Sequence, residues 1–293
     1  MSVQISVIIP TYHDWKRLAM CVDALVCQTF PKNNFEVIIV NNDPNDSIPL
    51  ELILPDNMII INESKPGSYA ARNSAMKIAK GNILAFTDSD CIPDKDWLNN
   101  AYKYFKNNIS DRVGGKIDLF YLADKKTMAE CYEAAYAFRQ KRNVNQKKVS
   151  VTANLFVNRK VFQLIGVFDE VMSGGDIDWN RRASLQNVSI VYGEDVIINH
   201  PARDSLEELK RKKIRVFQGI KKIQKQSFKD HLKNVFYPFL LFYIFVITDN
   251  KPIFDAKELN FFDKMRAFVV KFLIFKWVSL FYIDLLIKEY FKK

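Results

Sequence analysis

The residues best equipped for chemistry are Asp88 and Asp90, set one apart at the close of the apolar run Asn82-Ile83-Leu84-Ala85-Phe86-Thr87. If that run is a strand, alternate side chains share a face, and both carboxylates point the same way where the strand stops. Like charges held that close repel and raise each other's pKa unless a cation lies between them. A divalent metal carrying a diphosphate would neutralise the pair and turn repulsion into binding. Aspartates also favour turns, so the two could simply punctuate a strand end. Their meaning depends on what the rest of the chain brings to that place.

Residues 4–10 (QISVIIP), 35–40 (FEVIIV), 58–62 and 83–87 read as strands rich in Val and Ile. Between them, residues 14–28 show helical spacing, with Trp15, Leu18, Ala19, Val22, Leu25 and Val26 on one stripe. Residues 68–79 form a second helix, stopped by Gly81. The order predicts an α/β fold, Rossmann-like, with a mostly parallel central sheet flanked by helices. Ligands of such sheets gather at the carboxyl ends of the strands. Here those ends are Pro10-Thr11-Tyr12, Asn41 to Asp46, Lys65-Pro66-Gly67 and Asp88-Ser89-Asp90, all polar or turn-forming, and they would converge on one edge. A purely structural sheet also ends its strands in turn residues.

The following part predicts a helix to about residue 107, a strand over 113–121, a helix over 127–143 and a strand over 149–157. A helix from residue 159 turns at Gly166, and the loop Gly174-Gly175-Asp176-Ile177-Asp178-Trp179 runs into a helix ending near 185. Short strands at 189–192 and 196–199 precede His200-Pro201.

From residue 203 the character changes. Residues 206–229 form a strongly basic helix, followed by apolar segments at 235–247 and 261–287. The first is too short to span a bilayer and is interrupted by Pro238. The second is broken by Lys264, Arg266, Lys271, Lys276 and Asp284. A central Lys or Asp in a spanning helix costs roughly 2.5–3.5 kcal/mol on insertion scales. A helix lying in the interface lets lysines snorkel and avoids most of that. The tail is therefore expected to sit peripherally on an anionic membrane, the alternative being a soluble helical appendage.

The 293 residues suffice for one large domain or two small ones, and 48% hydrophobic content excludes a disordered chain. A formal charge of +10 calls for an anionic partner. Nucleic acid is not expected, because the basic helix leads into aromatics without an interleaved polar recognition surface. Cys21, Cys27, Cys91 and Cys131 lack metal or disulfide spacing and read as reduced thiols. No signal peptide is visible at residues 1–5, so a cytoplasmic location on the inner face of the cell membrane is expected.

Seven ordered blocks give these residues a common meaning. They are SVIIPTY at 6–12, FEVIIVNND at 35–43, KPGSYAARNSAM at 65–76 and GNILAFTDSDCIPDKDWL at 81–98. TANLFVNRKVFQLIGVFDE at 152–170, GGDIDWNRR at 174–182 and NHP at 199–201 follow. In this order they resemble the family 2 nucleotide-sugar glycosyltransferases of the GT-A fold. The resemblance implies a GT-A catalytic domain over 1–203, with a nucleotide-sugar half at 1–98 and an acceptor half at 99–203. Residues 204–293 would be the basic helix and the amphipathic or apolar membrane-associating helices.

The implied activity is inverting, metal-dependent transfer of a sugar from a nucleoside-diphosphate sugar to a hydroxyl of a glycan or lipid-linked acceptor, in cell-surface polysaccharide synthesis. The cofactor would be Mg2+ or Mn2+, held by Asp90 with Asp88 and His200; a capping or core histidine is the other reading of His200. The family's acidic pair at a loop-to-helix junction matches Gly175-Asp176, with Gly175 where the family has Glu. This implies Asp176 as catalytic base and Asp178 as its substitute, unless either caps the helix. Pro10, Thr11, Tyr12, Asn41, Asn42, Asp43, Lys65, Gly67, Arg72, Asn73, Asp88, Ser89 and Asn154 would bind the donor; the resemblance favours a UDP-sugar, and Asn41, standing where the family usually has a uracil-reading acid, can still offer both a donor and an acceptor to that base. A non-catalytic nucleotide-binding or membrane scaffold of the same fold is the alternative suggested by Gly175.

Overall fold

A computed structural model of the chain describes residues 2–223 and 248–290. In chain order its elements begin with β1 (Ile5–Thr11), α1 (Trp15–Val26), β2 (Phe35–Asn41), β3 (Met58–Asn62), α2 (Ser68–Ile78), β4 (Ile83–Phe86), β5 (Ile92–Pro93) and α3 (Trp97–Lys106). Then come β6 (Arg112–Phe120), α4 (Met128–Tyr136), α5 (Gln140–Lys147), β7 (Leu155–Asn158), α6 (Arg159–Ile165), α7 (Gly175–Leu185) and β8 (Val191–Pro201). The C-terminal helices are α8 (Leu206–Ile223), α9 (Lys251–Asp255) and α10 (Phe261–Tyr290).

Two compact units result. One holds the residues up to Phe120 together with Phe138–Pro201; the other holds Tyr121–Ala137 and the residues from Ala202 onward. The division is thus not a single cut near 203. Helix α4 groups with the C-terminal segment because Ala129 and Tyr132 pack among Leu209, Val270, Ile274 and Tyr282.

The first unit is an eight-stranded sheet in the order β3-β2-β1-β4-β7-β6-β8-β5. Strands β1 and β2 are buried along nearly their whole length, which requires cover on both faces and explains their unbroken apolar sequence. The pairs β1–β2, β1–β4 and β2–β3 are parallel, as expected. Beyond β4 the sheet becomes mixed: β7 runs antiparallel to β4 and β6, and β8 is parallel to β6. The register places Thr11 beside Asn41 and Asn41 beside Asn62, so three carboxyl ends stand in one row. Ile8 pairs with Phe86, which brings the Asp88 segment to the same edge.

Three local expectations change. The helix expected over 127–143 is two helices, because Phe138 and Arg139 adopt left-handed backbone angles of 55° and 37° in φ. Helix α4 opens with a capping box in which Thr127 and Glu130 satisfy each other's backbone N–H. The strand expected from 149 begins only at Leu155, after a 3-10 turn at Thr152–Asn154. The two short strands before His200 are one strand, β8, with a register shift opposite Gly115 and Lys116.

In the second unit, Glu133 of α4 is 1% exposed and lies between Arg203 (3.0 Å) and Lys212 (3.2 Å). Lys271, expected to snorkel, is instead buried and donates to Asp249 O at 2.8 Å and to Asn250 Oδ1 at 2.5 Å. The apolar segment 235–247 and the end of the basic helix, with Lys225 and Lys229, lie outside the described residues. No helix among the described residues is long and apolar enough to cross a membrane.

Candidate active site

Strand β4 ends at Phe86, two residues before the first aspartate, and Cys91 N–H closes a turn onto Asp88 O at 3.1 Å. The acidic pair therefore lies on a turn and does not alternate along a strand, and its two carboxylates engage different partners. Asp88 forms an ion pair with Arg72, which α2 holds almost fully buried and over the Tyr69 ring (5.5 Å to the centroid). Asp90 Oδ2 lies 3.4 Å from His200 Nε2 and 3.9 Å from Arg17 Nη1. Arg17 is in turn held by Asp14 at 2.8 Å, and Asp14 accepts from Ser89 Oγ at 3.3 Å.

His200 is 3% exposed, its ring tilted against that of Phe138, and its Nδ1 lies 2.7 Å from Pro201 O. A carbonyl only accepts, so Nδ1 carries the proton and Nε2 is the nitrogen facing Asp90. Asp90, Cys91 and His200 bring their potential ligand atoms within 4.8 Å of one another. Burial first, and then the charges of Asp88 and Asp90, push the Cys91 thiol well above its usual pKa, so it is a neutral thiol beside the other two. The hard and borderline donors of the group are one carboxylate and one imidazole. That donor set fits Mn2+, and Mg2+ less well because Mg2+ prefers oxygen alone. Asp88, tied to Arg72, stands apart from this group.

Asp176 is 8% exposed on the first turn of α7. Its Oδ1 accepts from Tyr69 OH at 2.8 Å and Ile177 N–H at 2.8 Å, and its Oδ2 accepts from Thr152 N–H at 3.3 Å. Burial pushes its pKa up, and the Tyr69 hydroxyl, the backbone donors and Arg72 offset part of that. Neither aspartate caps the helix: the N-cap is Gly174, at a φ of 84°. Asp178 is engaged by Arg182 at 3.1 Å, whose guanidinium also donates to Ile165 O and Val167 O. Asp178 therefore secures the α6–α7 connection. A Cβ at Gly175 would meet Asp169 O at 2.9 Å and the Tyr69 ring at 3.0 Å, so Tyr69 occupies the room a side chain at 175 would need.

Around the strand ends, Thr11 is buried and its Oγ1 has no partner among the described residues. Pro10 is buried in β1, whereas Tyr12 is 64% exposed with its ring edge against His13. His13 places its two ring nitrogens 3.1 Å from Asp43 and 3.2 Å from Asp46, and Trp15 donates to Asp46 at 2.8 Å. Lys65 pairs with Glu170, and Gly67 holds a φ of 118° that favours glycine.

The amide side chains are hydrogen-bonded within the protein. Asn41 donates to Asp46 O and accepts from Asp43 N–H, closing its own loop. Asn42 donates to Glu63 O and Lys65 O and accepts from Gly67 N–H. Asn73 bonds Phe168 through both its amide groups. Asn154 is fully buried, accepting from Trp97 Nε1 at 3.0 Å and donating to Lys116 O and Val196 O. In this structure the four serve the framework, their hydrogen-bonding groups being engaged by the protein. Conversely, sequence reasoning passed over His13, Asp14, Arg17 and Tyr69. Tyr69 lies inside a matching block, and Asp14 and Arg17 are spaced to share a helix face beside another such block.

The family model described as "Glycosyl transferase family 2" matches residues 6–165. The glycosyltransferase AglE of Haloferax volcanii is 36% identical over 221 residues, which cover 73% of this chain and 72% of that protein. A poly(ribitol-phosphate) beta-glucosyltransferase of Bacillus spizizenii is 36% identical over 124 residues, 39% of this chain and 19% of that protein. Among solved structures, mannosyltransferase PcManGT from Pyrobaculum calidifontis, in complex with GDP-Man and Mn2+, superposes with a TM-score of 0.56 at 18% identity, over 78% of this chain and 66% of that one. S. aureus TarS in complex with UDP gives 0.53 at 18% identity, over 92% and 90%. These likenesses show a common GT-A fold. Together, the family match and the relative matched over nearly three quarters of both chains show that this chain belongs to glycosyl transferase family 2.

Proposed function

We propose that the chain is an inverting, metal-dependent glycosyltransferase with Asp176 as the general base. The observation that carries this reading is a buried carboxylate whose pKa is raised by burial and whose position is set by three donors. Raised basicity and fixed geometry are what proton removal from an attacking hydroxyl requires. As the acceptor oxygen bonds to the anomeric carbon, its proton passes to Asp176. The bond from that carbon to the donor phosphate breaks, and its electron pair leaves with the diphosphate. Attack from the face opposite the leaving group inverts the configuration.

Asp90 and His200 are the residues that would hold Mn2+ or Mg2+, and when bound the ion would neutralise the departing diphosphate. Arg72 aligns Asp88, which is left part-exposed toward the donor. The donor is a nucleoside-diphosphate sugar received against Thr11, Tyr12 and Asp43. The structural relatives were solved with UDP and with GDP-Man, so a UDP-sugar is the first and not the sole candidate. The acceptor is a glycan or lipid-linked hydroxyl in cell-surface polysaccharide synthesis, met at the inner face of a membrane to which the basic tail is drawn. Transfer assays with a panel of nucleotide sugars, with and without Mn2+, test the reading. Asp176→Asn should keep donor-dependent thermal stabilisation while losing turnover; a variant that still turns over at the full rate refutes it.

A further inference from the structure

Helix α10 has two apolar faces, and the described residues cover only one. Ala267, Val270, Ile274, Val278 and Tyr282 are buried and pack within the C-terminal unit. At about 100° per residue, Phe262, Met265, Val269, Phe272, Leu280 and Ile283 fall on the opposite side as a single row. They are 73%, 50%, 48%, 49%, 56% and 43% exposed. Lys276, also exposed, is the one charge within the row. The row spans roughly 30 Å at 1.5 Å per residue. Large apolar side chains normally reach solvent singly, and a contiguous stripe marks a surface meant to be covered.

The charge distribution says what covers it. Residues 1–201 hold 23 Lys and Arg against 23 Asp and Glu, whereas residues 202–293 hold 20 against 10. The whole formal excess of +10 therefore belongs to the segment that carries the stripe. A second copy would bring a segment of charge +10 against its equal, and a nucleic acid would leave the stripe in water. A bilayer of anionic lipids satisfies both features: apolar depth for the stripe and negative headgroups for the surrounding cations. Lys276 can lie in the row because its stem reaches from the acyl boundary to the headgroups.

We propose that this face of α10 is the membrane-docking surface, lying flat in the headgroup–acyl boundary of an anionic bilayer. The assignment rests on the reading that the enzyme works at a membrane, and adds the face that makes the contact. Cosedimentation of the full chain with phosphatidylglycerol–phosphatidylcholine vesicles tests it. The wild type should bind these vesicles and bind pure phosphatidylcholine at least tenfold more weakly. The double substitution Val269→Glu, Phe272→Glu should reduce binding tenfold or more at an unchanged melting temperature.

If that variant does not fold, Phe272→Trp serves instead, and its emission should shift to the blue on addition of anionic vesicles beyond any change in the wild type. Full binding by the charged variant, or no shift in the Trp variant, overturns the docking face while leaving the membrane reading intact. A wild type that binds no vesicle overturns both. A stripe-dependent dimer in lipid-free sedimentation equilibrium overturns the docking face in favour of a second copy.

Discussion

Removing one oxygen, in Tyr69→Phe, tests the base assignment without disturbing the site's shape. The hydroxyl donates to Asp176 Oδ1 at 2.8 Å, while the ring is buried beside Phe168 and against Gly175. Phenylalanine keeps that packing, so the change isolates the hydrogen bond. Bonds to charged groups contribute about 1.5–3 kcal/mol. Ile177 N–H serves the same oxygen and Thr152 N–H the other, so the lower end applies, about 1.5 kcal/mol or tenfold.

The direction follows from which form the bond favours. Burial already raises the Asp176 pKa, and the Tyr69 hydroxyl opposes that by stabilising the carboxylate. Without the hydroxyl the pKa rises further, and the protonated acid cannot accept the acceptor's proton. The acid limb of kcat against pH should therefore move to higher pH, with a loss of about tenfold on that limb and recovery on the alkaline side. Donor KM should not change. Asp176→Asn, measured in parallel, should lose about 10²–10⁴ in kcat at every pH. A Tyr69→Phe profile superimposable on wild type, beside an inactive Asp176→Asn, refutes the tuning; an active Asp176→Asn refutes the base itself.

Glu133→Gln removes the buried negative charge that faces both Arg203 and Lys212 and should destabilise the C-terminal unit by about 3–5 kcal/mol, read as a lower melting temperature. Burial alone would raise the Glu133 pKa, but the two cations hold it at about 2, so its stabilisation is full above the ordinary carboxylate range and is lost as pH falls through about 2. The gap between wild type and variant should close in acid accordingly. Asn154→Ala strands Trp97 Nε1, Lys116 O and Val196 O, each at about 1–3 kcal/mol, so stability should fall while donor KM holds; the reverse result would return Asn154 to the donor site. Calorimetric titration with Mn2+ alone should show Asp90→Ala and His200→Ala binding roughly tenfold or more weaker than wild type, with Asp88→Ala less affected.

The parallel half of the sheet was legible because ISVIIPT and FEVIIVN are buried on both faces, and such strands announce themselves as unbroken apolar runs. Once those strands register in parallel, the convergence of their carboxyl ends is forced, and with it the neighbourhood of Thr11, Asn41 and Asp88. What the sequence hides is the direction of side chains with two hydrogen-bonding roles. Asn42 and Asn154 have the chemistry to read a nucleotide, yet they spend it on backbone groups 21 to 42 residues away in the chain, which no local pattern records. Lys271 misled for a related reason: its ammonium is satisfied by Asp249 O and Asn250, acceptors that enter from another turn of the chain. The helix break at Phe138 and Arg139 leaves no mark either, because neither residue type favours the left-handed region it occupies.

The framework amides explain how a rim built from loops can hold a reactive geometry. Asn42 fixes the loop after β3 by three backbone bonds, and Asn73 fixes the segment before α7 at Phe168. Each loop is thus anchored at its root by a buried side chain hydrogen-bonded to backbone on both sides of its amide. At their outer ends the same two loops meet through Lys65 and Glu170, an exposed ion pair of the kind that contributes little in water. The strength is thus divided: the roots are held by buried bonds on the segments that flank the Tyr69–Asp176 hydrogen bond, and the outer contact is the weakly held one.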